Sequence, residues 1–137
     1  MALVLDTGPI YAAMDRSDTD FEKCAELIEN STEPIVVPGP VIVEVDWLAS
    51  RRLQPEAFLK LLADIDNALV QVEELVEADY RRSRDLMARY RDLSLGFVDA
   101  AVMSIVERLG ETKLATLDRR HFGVVRPRHV PSLRLLP

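Results

Sequence analysis

Asp6, Glu44, Asp99 and Asp118 lie far apart along the chain, yet each falls where a carboxylate needs a reason. Asp6 closes the apolar run Leu3-Val4-Leu5, and Asp118 follows the segment from Lys113 to Leu117. Both therefore sit just past the carboxyl end of a predicted strand, the edge at which open parallel sheets place their ligand sites. Glu44 lies three residues after Val41 and four before Leu48, so helical spacing puts it on an apolar stripe. Asp99 stands four residues after Leu95 and is followed by Met103 and Val106 at the same spacing, near the start of a helix. Unpaired carboxylates on core faces are costly, and they are accommodated by an arginine or lysine partner, by protonation or by a bound cation.

Taken singly, each acid has a structural reading: Asp6 and Asp118 as helix or turn caps, Glu44 and Asp99 in salt bridges. Taken jointly, two acids at strand ends and two on inward helix faces can converge on one crevice. Their mutual repulsion there would raise their pKa values unless a hard cation neutralised them. Magnesium suits such a set, because it binds through one or two carboxylates, keeps several waters and accepts phosphate oxygens. The chemistry to expect is hydrolysis of a phosphodiester, with the ion polarising the ester and activating a water. Thr7 and Thr116 flank the strand-end aspartates; their hydroxyls could hold a metal-bound water or orient a carboxylate, or they could be plain turn and strand-end residues.

Positioning these acids requires strands and helices in alternation, and the pattern supplies them. Ala2 to Leu5 reads as a strand, and Pro9 suits the first turn of a helix. Thr19-Asp20-Phe21-Glu22 fits a capping box for a helix running to about Asn30. Ile35-Val36-Val37 is a buried strand, and after Pro38-Gly39-Pro40 the residues Val41, Val45, Leu48 and Ala49 recur at helical spacing. Pro55 opens a helix carrying Phe58, Leu61, Leu62 and Ile65; Ala68 to Val72 reads as a strand, and a charged helix spans about Val76 to Arg91. Leu95, Val98, Val102, Ile105, Val106 and Leu109 form a wide apolar stripe that Gly110 ends as a C-cap glycine. Lys113 to Thr116 and Leu133 to Leu136 complete the strands. The expected fold is α/β, a three-layer sandwich with a mainly parallel central sheet flanked by helices, in a single domain over residues 1–137.

The segments Val4-Leu5-Asp6-Thr7-Gly8, Val43-Glu44-Val45, Gly96-Phe97-Val98-Asp99-Ala100-Ala101-Val102 and Ala115-Thr116-Leu117-Asp118-Arg119-Arg120-His121-Phe122 resemble the four acidic motifs of the PIN-domain nucleases. Order and approximate spacing match across nearly the whole chain. Within that family the length and the Leu-Asp-Arg-Arg-His-Phe ending are most similar to VapC-type toxins of bacterial toxin–antitoxin pairs. The resemblance implies a magnesium- or manganese-dependent endoribonuclease that cleaves RNA to stop translation and is held inactive by a VapB-type antitoxin. It further implies a homodimer, with promoter DNA engaged only through the antitoxin. Carried over residue by residue, the family's acids fall on Asp6, Glu44, Asp99 and Asp118, and its small hydroxyl position on Thr116. Pro9 follows Gly8 where many relatives have small residues without proline, which alters the turn and leaves the carboxylate in place.

Composition narrows the alternatives. Hydrophobic residues at 48% and charged residues at 29% are those of an ordinary globular chain. Leu3-Val4-Leu5 is too short for a signal peptide or membrane span, so a cytoplasmic protein without membrane contact is expected. Lone Cys24 sits among Phe21, Ala25, Leu27 and Ile28 and reads as core. The net charge of −6 argues against a broad basic footprint, although no acid follows Asp118 and five arginines do. Arg119 and Arg120 could contact RNA phosphate or anchor the turn. The arginines from Arg81 to Arg91 alternate with Asp79, Asp85 and Asp92 and read as a solvated, salt-bridged surface. His121 and His129 lack metal-ligand spacing and read as bland, and Trp47 as core or partner-facing.

Two other functions share the acidic residues. A phosphoryl-transfer or receiver domain also holds metal at the carboxyl ends of a parallel sheet. Asp6-Thr7-Gly8 lacks its second aspartate, and lysines occur only at Lys23, Lys60 and Lys113, none following a predicted strand. A non-catalytic module whose acidic crevice docks a basic peptide uses the same side chains.

Overall fold

The computed structural model describes residues 1–137. Its strands are β1 (Leu3–Val4), β2 (Ile35–Pro38), β3 (Val70–Glu73), β4 (Lys113–Ala115) and β5 (Arg134–Leu136). The helices are α1 (Thr7–Met14), α2 (Phe21–Glu29), α3 (Gly39–Arg52), α4 (Pro55–Asp66), α5 (Glu77–Arg89), α6 (Phe97–Leu109) and the single turn α7 (Arg119–Phe122).

Every strand pairing is parallel. β2 lies between β1 and β3, β4 pairs with β5, and Leu5 bridges to Ala115, so the spatial order is β3-β2-β1-β4-β5. The chain thus builds outward from β1 to β3, then returns to the other side of β1 to place β4. Such a reversal opens a crevice at the carboxyl ends of the two strands that part there, here β1 and β4.

The central strands β1 and β2 can be short because they are buried on both faces, as Val4 and Val37 are, while the outer strands β3 and β5 are only partly covered. On one face α1, α2 and α4 close over Leu5, Ile35, Val37 and Val70 around an apolar cavity of about 300 Å³. Side-chain alternation sends Val4 and Val36 to the opposite face, where α6 packs on β2. The wide stripe of α6 is observed as an unbroken buried run from Ala100 to Val106, and Gly110 ends the helix at φ 70°, a left-handed cap that glycine adopts without penalty.

Several boundaries and one cap differ from the sequence reading. The capping box at Thr19 does not form: α2 starts at Phe21, and the Asp20 amide donates to Asp18 Oδ1 at 2.8 Å, an Asx turn that takes its place. Helix α3 begins already at Gly39, because Pro40 is pre-organised for a first helical turn. The third strand slides to Val70 since Ala68 adopts φ 59° in a turn. The charged helix stops at Arg89 and is followed by a 3-10 turn, Arg91–Leu93.

The face of α5 expected from its charges to be solvated is partly a buried clasp. Arg82 donates from Nε and Nη2 to the Glu107 carboxylate, both at 2.8 Å, with side chains only 13% and 9% exposed. Arg108 reaches back from α6 to Asp79 and Glu73. Arg81 and Arg84 do make the exposed pairs expected of a surface helix. No helix is long and apolar enough to cross a membrane.

Candidate metal centre at the carboxyl edge of the sheet

Asp6 leaves β1 with its amide bonded to the Ala115 carbonyl at 2.9 Å, so the ends of β1 and β4 are fixed to each other. The Asp6 side chain is 5% exposed. Its Oδ2 accepts from Thr116 Oγ1 at 2.8 Å, and the same hydroxyl oxygen accepts from the Asp118 amide at 3.0 Å. One threonine thereby sets the rotamer of Asp6 and the backbone of Asp118. Asp6 Oδ1 and Thr7 Oγ1 are buried without a partner. Gly8 permits this approach, since a Cβ there would stand 3.2 Å from Leu117 Cβ.

Asp118 caps α7, its Oδ1 accepting from the His121 amide at 2.9 Å. The single turn returns the His121 ring to the same carboxylate: Nδ1 is 2.8 Å from Asp118 Oδ2 and 2.6 Å from Asp99 Oδ2, while Nε2 is 3.2 Å from the Leu93 carbonyl. Asp99 comes from the first turn of α6. Glu44 comes from α3, whose buried positions are Val41, Val45 and Ala49, and it forms no hydrogen bond or ion pair. It is half-buried at the margin of the stripe, which is narrower than its spacing suggested. Asp6, Glu44, Asp99 and Asp118 line one open crevice of about 490 Å³, with Tyr11 and Asp18 also contributing.

Gathering these acids has an electrostatic cost that is visible in their proton affinities. Burial pushes the Asp6 carboxyl up to about 7, and the charges of Asp99 and Glu44 add to this against the Thr116 hydrogen bond. Asp99 is also raised, first by burial and then by Asp118 and Glu44, with His121 opposing. At His121 burial favours the neutral ring, but the Asp99 hydrogen bond and the charges of Asp118 and Asp99 outweigh it and the pKa rises. The donor set fits a divalent cation: hard carboxylate oxygens from several segments, with a buried unpartnered oxygen on Asp6 lining the crevice.

All four acids singled out from sequence are thus brought to one place, although the structural readings held in part: Asp118 does cap a turn and Asp99 does pair with a basic ring. Thr116 holds a carboxylate; Thr7 has a buried hydroxyl without a partner. Arg119 is exposed and donates to the Pro137 carbonyl at 2.9 Å, whereas Arg120 is exposed and unpaired. Trp47 is not core, being 56% exposed with the Arg51 guanidinium 4.0 Å from its ring centre. His129, with Nε2 2.5 Å from the Glu111 carbonyl, stays away from the crevice. The sequence reading missed His121. Its spacing to Asp118 is the cue: residues three apart on a helical turn share a face.

An acid-lined crevice at the switch point of a parallel sheet marks an α/β protein whose site is suited to a divalent cation. The chain belongs to the PIN domain family, whose model matches residues 3–126. Among curated proteins it is similar to Ribonuclease VapC26 of Mycobacterium tuberculosis, 28% identical over 125 residues that cover 91% of this chain and 93% of the relative. Among solved structures it is similar to the M. tuberculosis VapC20 toxin, described as cleaving the sarcin–ricin loop, with a TM-score of 0.83 and 18% identity over 94% of this chain and 98% of that one. VapBC2 from Rickettsia felis, bound to a DNA fragment from its promoter, matches with a TM-score of 0.67 and 18% identity, covering 98% of this chain and 97% of that one.

Proposed function

We propose that this chain, acting as one unit over residues 1–137, is a metal-dependent endoribonuclease toxin that hydrolyses RNA phosphodiesters, stops translation and is silenced by a VapB-type antitoxin. The observation that carries this reading is the convergence of Asp6, Glu44, Asp99 and Asp118 on one crevice, with Asp6 Oδ1 buried and unpartnered. These carboxylates would hold magnesium or manganese. Held there, it would supply Lewis acidity and a water acidic near neutral pH.

The chain's own residues prepare the site before any substrate arrives. Thr116 holds Asp6 Oδ2 so that Oδ1 is left for the ion, and the Asp118 amide keeps the Thr116 hydroxyl donating in that direction. Glu44, free of other partners, completes the negative wall. Arg120 is free to pair with an RNA phosphate, whereas Arg119 donates to the Pro137 carbonyl. Beside Glu44, Val43 is 72% exposed and with Trp47 forms an apolar rim suited to a covering protein. The names of VapC26 and VapC20 support RNA as substrate, and the VapBC2 complex supports an antitoxin that brings the pair to promoter DNA. A homodimer working in the cytoplasm completes the proposal.

Purified protein freed of inhibitor is expected to cut RNA with magnesium or manganese and to stop when the metal is chelated. Asp6→Asn and Asp99→Asn are expected to abolish cleavage with unchanged circular dichroism. Equal cleavage by wild type and both variants would refute the catalytic reading.

A further inference from the structure

We infer that His121 is a ligand, through Nδ1, of the ion that Asp99 and Asp118 hold, which makes this side of the site a mixed nitrogen–oxygen centre that favours manganese over magnesium. The inference rests on the metal-dependent reading above and deepens it.

One donor atom from each of Asp99, Asp118 and His121 lies within 4.8 Å of the others. Nδ1 stands 2.6 Å from Asp99 Oδ2 and 2.8 Å from Asp118 Oδ2. Adjacent ligands of an octahedral ion with bonds of about 2.1 Å are about 3 Å apart. The two contacts of Nδ1 are within a few tenths of an ångström of that spacing, and all three donor atoms are near enough to share one ion.

The other ring nitrogen fixes which tautomer is offered. Nε2 is 3.2 Å from the Leu93 carbonyl, an oxygen that can only accept, so Nε2 keeps its proton and Nδ1, which faces the two carboxylates, is the nitrogen whose proton an ion would replace. A backbone carbonyl bonded to the non-coordinating nitrogen is one of the usual supports of a metal-bound histidine. The α7 turn reinforces the geometry, because Asp118 Oδ1 holds the His121 amide and keeps both side chains on one face. A separate feature points to a cation in the same crevice: Asp6, 5% exposed, has an unpartnered Oδ1 there.

Magnesium keeps its waters and binds through oxygen, whereas a first-row transition ion gains from an imidazole nitrogen; manganese gains least in that series, and it is the one of the two ions for which the nitrogen adds affinity. The competing role for His121 is a purely structural one, a cationic ring bridging two carboxylates with the metal elsewhere. The two roles differ in whether nitrogen touches the ion.

The full chain loaded with Mn²⁺ is expected to show ¹⁴N modulation from a coordinated imidazole in pulsed electron paramagnetic resonance, and His121→Gln to lose it. Calorimetric titration should show Mn²⁺ affinity falling at least tenfold in His121→Gln, since even an outer-shell partner is worth about 10–100-fold, while Mg²⁺ affinity changes less. Should that variant misfold, His129→Gln leaves one of the chain's two histidines, and nitrogen modulation retained there assigns it to His121. Mn²⁺ bound to wild type without nitrogen coupling would overturn the ligand role and leave the nuclease reading standing. No Mn²⁺ binding by wild type would overturn both.

Discussion

Asp6→Asn offers a measurement of what the fold spends to build its crevice. Asp6 is 5% exposed and its carboxyl is pushed from an ordinary 3.8 to about 7, with burial as the first cause. At about 1.4 kcal/mol per pH unit, this gap amounts to about 4 kcal/mol of folding free energy lost when the side chain is fully ionised. The sign follows from proton counting. Between pH 3.8 and about 7 the folded state binds the Asp6 proton and the unfolded state does not, so stability is highest at or below 3.8 and falls as pH rises through that window. Between pH 5 and pH 8 the Asp6 contribution should fall by about 3 kcal/mol. Urea unfolding of the metal-free protein at these two pH values measures it. Asp99 and His121, both raised, act in the same direction, so wild type should lose somewhat more than Asp6 alone dictates. The amide introduced by Asp6→Asn can still accept from Thr116 but does not titrate, so the variant should recover about 4 kcal/mol at pH 8 and lose most of the pH slope. Adding Mn²⁺ should restore wild type at pH 8 and not the variant. An unchanged pH slope in Asp6→Asn would refute the reasoning, since it would mean that burial of the Asp6 carboxylate is not what makes stability fall with pH.

Two further outcomes follow from contacts away from the reacting centre and at its support. Glu107→Ala strands Arg82, whose side chain is 13% exposed, and should cost about 3–5 kcal/mol in urea unfolding, whereas replacing both partners by apolar residues should cost far less. Thr116→Val removes the donor to Asp6 and the acceptor of the Asp118 amide, so it should cost about 1–3 kcal/mol of stability. It should also lower RNA cleavage at saturating substrate by about tenfold or more, the usual effect of losing a group that orients a metal-binding carboxylate; cleavage equal to wild type would show that the Asp6 rotamer does not need the hydroxyl.

The sequence determined a good deal by itself. Apolar runs alternating with helical stripes specify strands and helices, and their order requires long crossovers and therefore a parallel sheet, as is found. A short apolar run ending in Asp6, and another ending before Asp118, mark the strand ends at which chemistry is placed. Gly110 could be assigned as a C-cap because it directly follows the last apolar residue of the α6 stripe. What the sequence left open depends on distances between residues far apart in it. The order β3-β2-β1-β4-β5 rests on the Leu5–Ala115 bridge, and only that adjacency brings Asp6 to Thr116 and Asp118. Glu44 fell at the margin of its stripe because α3 buries a line four residues apart from Val41 to Ala49 and leaves the next face to the crevice. His121 became a neighbour of Asp99 because one turn of helix folds its ring back over a side chain from α6, a contact spanning 22 residues that no local spacing encodes. The residue types and their order fix which groups can do chemistry; which groups share a site is decided by packing, where burial makes each charge felt by its neighbours.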